Sequence, residues 1–262
     1  MSTPAHIWLT EHVADHVATV TINYPPANVL TSQGLKELES TLDDLTNNDR
    51  VKVIIITGTG RFFVAGADIR MLAEIGSRQK GKEIALTGQN LFNKIEKSPK
   101  TIIVAINGIC LGGGLELALC CHIRLAAEGI QLGLPEVNLG LIPGFGGTQR
   151  LSRIIGQSKA TEMILTGDSL SAEDGKTCGL ISEVFSDKDL MPQAIGLASR
   201  IASKSQSAVR AALQAIQKGS DLKLREGLLV EATLFGELCE SEDKQEGLAA
   251  FLEKRSPHFK NR

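Results

Sequence analysis

The sequence predicts an α/β protein, with a core of buried strands alternating with helices over residues 1–195 and a helical part over 196–262. Three observations carry this. VKVIIIT (51–57) and TIIVAIN (101–107) are continuous β-branched runs of the kind that form strands buried on both faces of a sheet. Between them, residues 82–96 place Ile84, Leu91, Phe92 and Ile95 at helical spacing. Beyond about Gly147 strand signals nearly vanish, ISEVF being the main exception, and residues 187–253 read as several helices.

In chain order, Ile7 to Leu9 and Val17 to Ile22 flank a polar Asp15-His16 turn and read as a β-hairpin. NYPPAN breaks the pattern. From Thr31 a helix is expected, because Leu35, Leu38, Leu42 and Leu45 recur every three or four residues, and Asn47-Asn48-Asp49 ends it. The first buried strand leads into the loop GTGRFFVAGADI. After the 82–96 helix, strand, glycine turn and helix repeat as AIN, GICLGGG and LELALC, and HIRLAAE and IQLGLPE suggest further short strands. This alternation implies βαβ-type units and a largely parallel sheet. The final helices are separated by breaks at Gly219-Ser220 and Ser241-Glu242. Helices at the end of a chain often pack between subunits, so an oligomer is expected.

Composition narrows the function. Apolar residues make up 42% and charged residues 22%, an ordinary globular balance. A formal charge of −2 gives no global electrostatic footprint for nucleic acid or an anionic membrane, so any phosphate contact is local. One candidate is the basic C-terminus with Lys254, Arg255, Lys260 and Arg262, which otherwise reads as a solvated tail. The cysteines at 110, 120, 121, 178 and 239 are odd in number and mostly sit in apolar segments, which suits a reducing compartment. No CxxC pair and no histidine spacing points to a metal. No apolar run approaches the roughly 18 to 20 residues needed to span a bilayer, and MSTPAHIWLTEHVADHV lacks a targeting pattern. A cytoplasmic protein without a membrane or nucleic-acid partner is expected.

Three features could carry chemistry. LGGGLELA (111–118) follows a buried strand and opens a helix; its glycines let a ligand approach the backbone, and the helix aims unpaired N–H groups at it. Such a place holds an anion or a developing oxyanion, or the glycines merely permit a tight turn. Neither it nor GFGGTQR (144–150) fits GxGxxG, and no GxxxxGK[ST] occurs, so nucleotide cradles are excluded. FFVAGADI (62–69) is a second accessible loop, in which Asp68 is suited to cap the following helix. The third feature is a pair of carboxylates. Glu116 lies in the first turn of an otherwise apolar helix and Glu136 in the apolar LGLPEVNLG. Their bland readings are a helix-dipole partner and a surface loop acid.

Together these motifs resemble the crotonase family, particularly enoyl-CoA hydratases. ITGTGRFFVAGADI, AINGICLGGGLELALCC, LGLPEVNLGLIPGFGGTQRL, ILTGDSLSAEDGKTCGL and GLAAFLEKRSPHF match in order across essentially the whole chain. The resemblance implies a crotonase-like spiral of ββα units with a C-terminal helical trimerisation region, commonly assembled as a hexamer of two trimers. It implies that the N–H groups of Ala67 and Gly113 form an oxyanion hole for the thioester of an acyl-CoA. Glu116 and Glu136 then act on one water, hydrating a trans-2-enoyl-CoA to a 3-hydroxyacyl-CoA in fatty-acid β-oxidation, with no metal or redox cofactor. It also implies that Ala67, Asp68, Ile69 and Arg70 line the CoA arm, with Arg70 near its phosphates, and that Lys254 reaches the adenosine phosphate of a neighbouring subunit's ligand.

Two positions depart from the pattern. His122 stands where the family usually has Asp, and reads as a core or strand-edge histidine, not a catalytic one. The YPPAN loop lacks the basic residue that hydratases often place against CoA. Within the family an enoyl-CoA isomerase is the rival, since one carboxylate can shuttle a proton between carbons; having both favours hydration. A non-catalytic acyl-CoA or RNA-binding scaffold is the rival of a different class, and the neutral-to-acidic composition and the lack of interleaved basic and aromatic residues argue against RNA.

Overall fold

The structure, a computed structural model, describes residues 9–261. Ile7 and Arg262, which figure in the expected hairpin and basic tail, lie outside the described residues. Strands β1 (Leu9–Ala14) and β2 (Val17–Ile22) pair antiparallel across Asp15 and His16, which both have positive φ, the combination that matches strand twist in a two-residue connection. Helix α1 (Ser32–Asn47) buries Leu35, Leu38, Leu42 and Leu45, and the Thr31 hydroxyl caps it by accepting from Gly34 N–H.

From there the chain climbs in repeated units, each a strand, a short second strand and a helix. The first is β3 (Val53–Gly58), β4 (Phe62–Val64), α2 (Ile69–Ala73) and α3 (Arg78–Glu96). The second is β5 (Thr101–Ile106), β6 (Ile109–Leu111) and α4 (Gly113–Cys120). The third is β7 (Ile123–Ala127), β8 (Gln131–Gly133) and a 3-10 helix, Pro135–Leu139. Helices α5 (Gly147–Ile155) and α6 (Gln157–Thr166) follow, then β9 (Ser169–Ser171), α7 (Ala172–Thr177) and β10 (Glu183–Phe185). The chain closes with α8 (Asp187–Ala202), α9 (Gln206–Ser220), α10 (Leu224–Cys239) and α11 (Glu242–Glu253).

The strands form two sheets. One has the order β1-β2-β3-β5-β7-β10 and is parallel from β2 onward; the other has the order β4-β6-β8-β9. The result is a spiral of ββα units with helices gathered at the C-terminal end. The expected buried strands are the centre of the larger sheet, where Val53 to Ile56 and Ile103 to Ile106 are fully buried. The smaller sheet corrects the sequence reading: β4 falls in a stretch read as loop, β6 inside the glycine turn, and β9 beyond Gly147. Strands of three residues are too short to display alternation, so nothing periodic announces them.

Helix α8 crosses the boundary expected at residue 195. Its buried face of Leu190, Ala194, Ala198 and Ala202 packs on strands of the larger sheet.

Candidate active site

The glycine run sits where β6 passes into α4. Gly112 has φ 52° and ψ −127°, a conformation that glycine alone adopts easily, and a Cβ there would stand 2.8 Å from Glu136 Oε1. The helix begins two residues earlier than a three-glycine turn would place it: Gly113 and Gly114 are helical, which corrects the expectation that all three form the turn. Gly114 is needed for packing, because a Cβ on it would lie 2.2 Å from the Val64 carbonyl oxygen. Gly113 is the first helical residue. Its N–H finds no acceptor among the described residues, as befits a helix N-terminus.

Ala67 is brought alongside by Leu30. Leu30 N–H donates to Gly66 O (2.8 Å) and Asp68 N–H donates to Leu30 O (2.9 Å), a single parallel bridge that turns the N–H of Ala67 the other way. That N–H also has no acceptor among the described residues. A Cβ on Gly113 would stand 3.6 Å from Ala67 N, so the two free donors belong to adjoining backbone. The Leu30 segment is itself pinned by Asn28, whose buried side chain accepts from Tyr24 N–H and donates to the carbonyls of Thr59, Phe62 and Phe63.

Glu116 follows on the same helix and is 3% exposed. Its Oε1 accepts from Phe145 N–H (2.7 Å) and Gly147 N–H (2.8 Å), the donors at the start of α5. The GFGGTQR motif, which fits no nucleotide cradle, is therefore a helix N-terminus capped by a distant carboxylate. Glu136 arrives on the 3-10 helix, and its Oε2 is buried without a hydrogen-bond partner. Burial pushes Glu116 up to about 7; the nearby Glu136 charge adds to this, and the two N–H donors oppose it. Burial also raises Glu136.

The turn that holds Glu116 is anchored on α3. Phe145 fills the space beside Gly88, where a Cβ would come within 2.3 Å of the ring, and meets Phe92 edge-on at 5.6 Å. Gln89 Nε2 donates to Gly144 O (2.8 Å). Asn28, Gln89 and Phe145 carry no local sequence signal, since each meets partners far along the chain.

Ala67, Gly113, Glu116 and Glu136 line one cavity of about 960 Å³, with Leu141, Ile142 and Phe145 among its apolar walls. Asp68, Ile69, Arg70 and Lys254 are not on that lining. Asp68 caps α2 by accepting from Arg70 N–H, as its position suggested, and Ile69 and Arg70 are exposed. Lys254 is exposed at the end of α11. In the basic tail Arg255 pairs with Glu246 and Glu253, and Lys260 with Glu242. His122 is structural: its Nδ1 accepts from Ile102 N–H (2.8 Å) and its Nε2 lies 3.1 Å from Glu96 O. Burial lowers its pKa, which keeps the ring neutral.

Two unpaired backbone donors beside the buried Glu116 and the half-buried Glu136 make a site that can polarise a carbonyl oxygen and move protons next to it. The chain belongs to the enoyl-CoA hydratase/isomerase family, the crotonases, whose family profile matches residues 12–262. It is 47% identical to a Bacillus subtilis (strain 168) relative described as "Probable enoyl-CoA hydratase", over 95% of this chain and 96% of that one. It is 40% identical to the short-chain-enoyl-CoA hydratase of Clostridium acetobutylicum, over 94% and 95% of the two chains. The crystal structure of an enoyl-CoA hydratase from Bacillus anthracis superposes with a TM-score of 0.93 at 38% identity, covering 97% of this chain and all of that one (100%).

Proposed function

We propose that the protein is an enoyl-CoA hydratase that adds water to a trans-2-enoyl-CoA and yields a 3-hydroxyacyl-CoA, as in fatty-acid β-oxidation. The observation that carries this is the convergence of the free Ala67 and Gly113 N–H groups with the buried Glu116 and the half-buried Glu136 in one cavity. The Bacillus subtilis relative described as "Probable enoyl-CoA hydratase" and the short-chain-enoyl-CoA hydratase of Clostridium acetobutylicum, both similar over nearly their full length, support it.

In this reading the thioester oxygen accepts from Ala67 and Gly113, drawing electron density from the conjugated double bond. Glu116 takes a proton from water as its oxygen bonds to the β-carbon, and Glu136 gives a proton to the α-carbon, the protonation roles being shared between them. One water is consumed, its hydroxyl ending on the β-carbon and a proton on the α-carbon. Losing one oxyanion donor typically costs on the order of 100-fold to 1,000-fold in rate, so the backbone pair supplies a large part of the acceleration. A carboxylate with a pKa of about 7 is available near neutral pH as both acid and base.

Asp68, Ile69 and Arg70 are assigned to the CoA arm, with Lys254 reaching a neighbouring subunit's CoA phosphate; Lys254 fits this role in having no acidic partner among the described residues. The helices after residue 195 are assigned to oligomerisation, as a hexamer of two trimers. The free cysteines fit a reducing cytoplasm, and no helix among the described residues is long and apolar enough to cross a membrane.

The test is the ultraviolet absorbance of crotonyl-CoA mixed with wild type, Glu116→Gln and Glu136→Gln. Hydration removes the enoyl band. Loss of this activity in both variants is expected; near wild-type rates in both would overturn the two-carboxylate mechanism, and an unchanged band with wild type would leave a binding module.

A further inference from the structure

Arg150 presents a contradiction that the hydration chemistry does not explain. It is a cation at the end of the first turn of α5, where the helix dipole is positive and a basic residue is unfavourable. It is also nearly buried, its side chain only 11% exposed. Its guanidinium is held on three sides: Nη1 donates to Phe145 O (3.1 Å), Nη2 to Asn93 Oδ1 (2.6 Å), and Nε and Nη2 to Glu96 Oε2 (3.2 and 2.9 Å). The turn is shaped around it. Gly146 has φ 116°, and a Cβ there would stand 2.3 Å from Arg150 Nη1.

We propose that Arg150 is a positioning residue for the acid/base site, clamping from its carbonyl side the same turn whose Phe145 and Gly147 N–H groups hold Glu116. Asn93 and Glu96 on α3 are the abutment, so the clamp ties α5 to α3 with the Glu116 carboxylate cradled between. The inference rests on the hydratase reading above for its kinetic consequence, but its geometry does not. Arg150 has a second effect through space. Glu136 and Arg150 are the charges acting on Glu116, the first raising and the second lowering its proton affinity. Glu96, facing from α3, offsets the Arg150 charge. The thiol of Cys120 on α4, within reach of the Arg150 charge, is driven up by burial and stays neutral.

The experiment uses Arg150→Met, Arg150→Lys and Glu96→Gln in the full-length protein. It reads steady-state hydration of crotonyl-CoA against pH, and the titration of ¹³C-labelled glutamate carboxyls by NMR. Arg150→Met is expected to lower kcat by about 10-fold to 100-fold, the scale of a small misplacement of reacting groups, with KM within about threefold of wild type. Its acid limb in kcat/KM and the Glu116 titration move to higher pH. Arg150→Lys keeps the charge without the three-way fork, so it restores the pH limb but only part of kcat. Glu96→Gln moves the limb the opposite way, to lower pH. An unchanged kcat with an unmoved limb in Arg150→Met overturns the proposal, as do shifts of the same sign in Arg150→Met and Glu96→Gln. Should Arg150→Met fail to fold, Glu96→Gln alone decides by the sign of its shift. Absence of hydration by wild type would instead overturn the hydratase reading, with the NMR titration still reporting on Arg150.

Discussion

A carboxylate withdrawn from water releases its proton late, and Glu116 does so at about 7 in place of the usual 4.5. The folded state therefore binds that proton more tightly than the unfolded chain. The resulting stability is fully present below pH 4.5 and is lost as pH rises through about 7, a difference of about 3 kcal/mol at most. Glu116→Gln keeps an acceptor oxygen for Phe145 and Gly147 but cannot ionise. Urea denaturation at pH 5 and pH 8 is expected to show wild type weakening with pH and the variant weakening less by that margin; equal slopes would refute the burial argument. Both carboxylates were legible in the sequence because a charge amid leucines is conspicuous. Arg150, Gln89 and Asn28 were not, because each finds its partners on backbone 30 or more residues away or on another helix's face, and no local pattern encodes that.

At the scale of the elements, the glycines of α4 and α8 look alike in sequence and differ in consequence. Gly114→Ala drives a methyl to within 2.2 Å of the Val64 carbonyl oxygen, so either α4 or β4 must move. A loss of about 3 kcal/mol is expected, read by chemical denaturation, together with impaired hydration, since Glu116 rides on the displaced helix. Gly196 lies exposed inside α8 with nothing within 4 Å of its would-be Cβ. Gly196→Ala is expected to stabilise by about 0.5 to 1 kcal/mol through backbone entropy alone; a destabilised variant would count against the exposed placement. Long elements were readable: α1 and α3 from their leucine stripes, β3 and β5 from β-branched runs. Of the smaller sheet only β8 was, within IQLGLPE; the three-residue strands β4, β6 and β9 are fixed by the neighbouring units of the spiral and not by any pattern of their own.

For the whole molecule, the terminal helices leave large apolar side chains in solvent, with Leu224 79% and Phe251 81% exposed and Phe235 and Leu252 similarly placed. So much exposed apolar surface is what an assembly interface requires. If the proposed hexamer forms through these helices, Phe235→Asp combined with Phe251→Asp shifts sedimentation to a smaller species while leaving the monomer folded, since both side chains lie outside the core; equal sedimentation of variant and wild type would count against these helices as the interface. The free donors of Ala67 and Gly113 have a wider consequence. Being main-chain groups, they are inherited with the fold and cannot be deleted by exchanging a side chain. Sequence drift can erase the two glutamates and still leave the two main-chain donors of the proposed oxyanion hole in place. In such a chain the carboxylates are the mutable part, and the backbone donors are the permanent one.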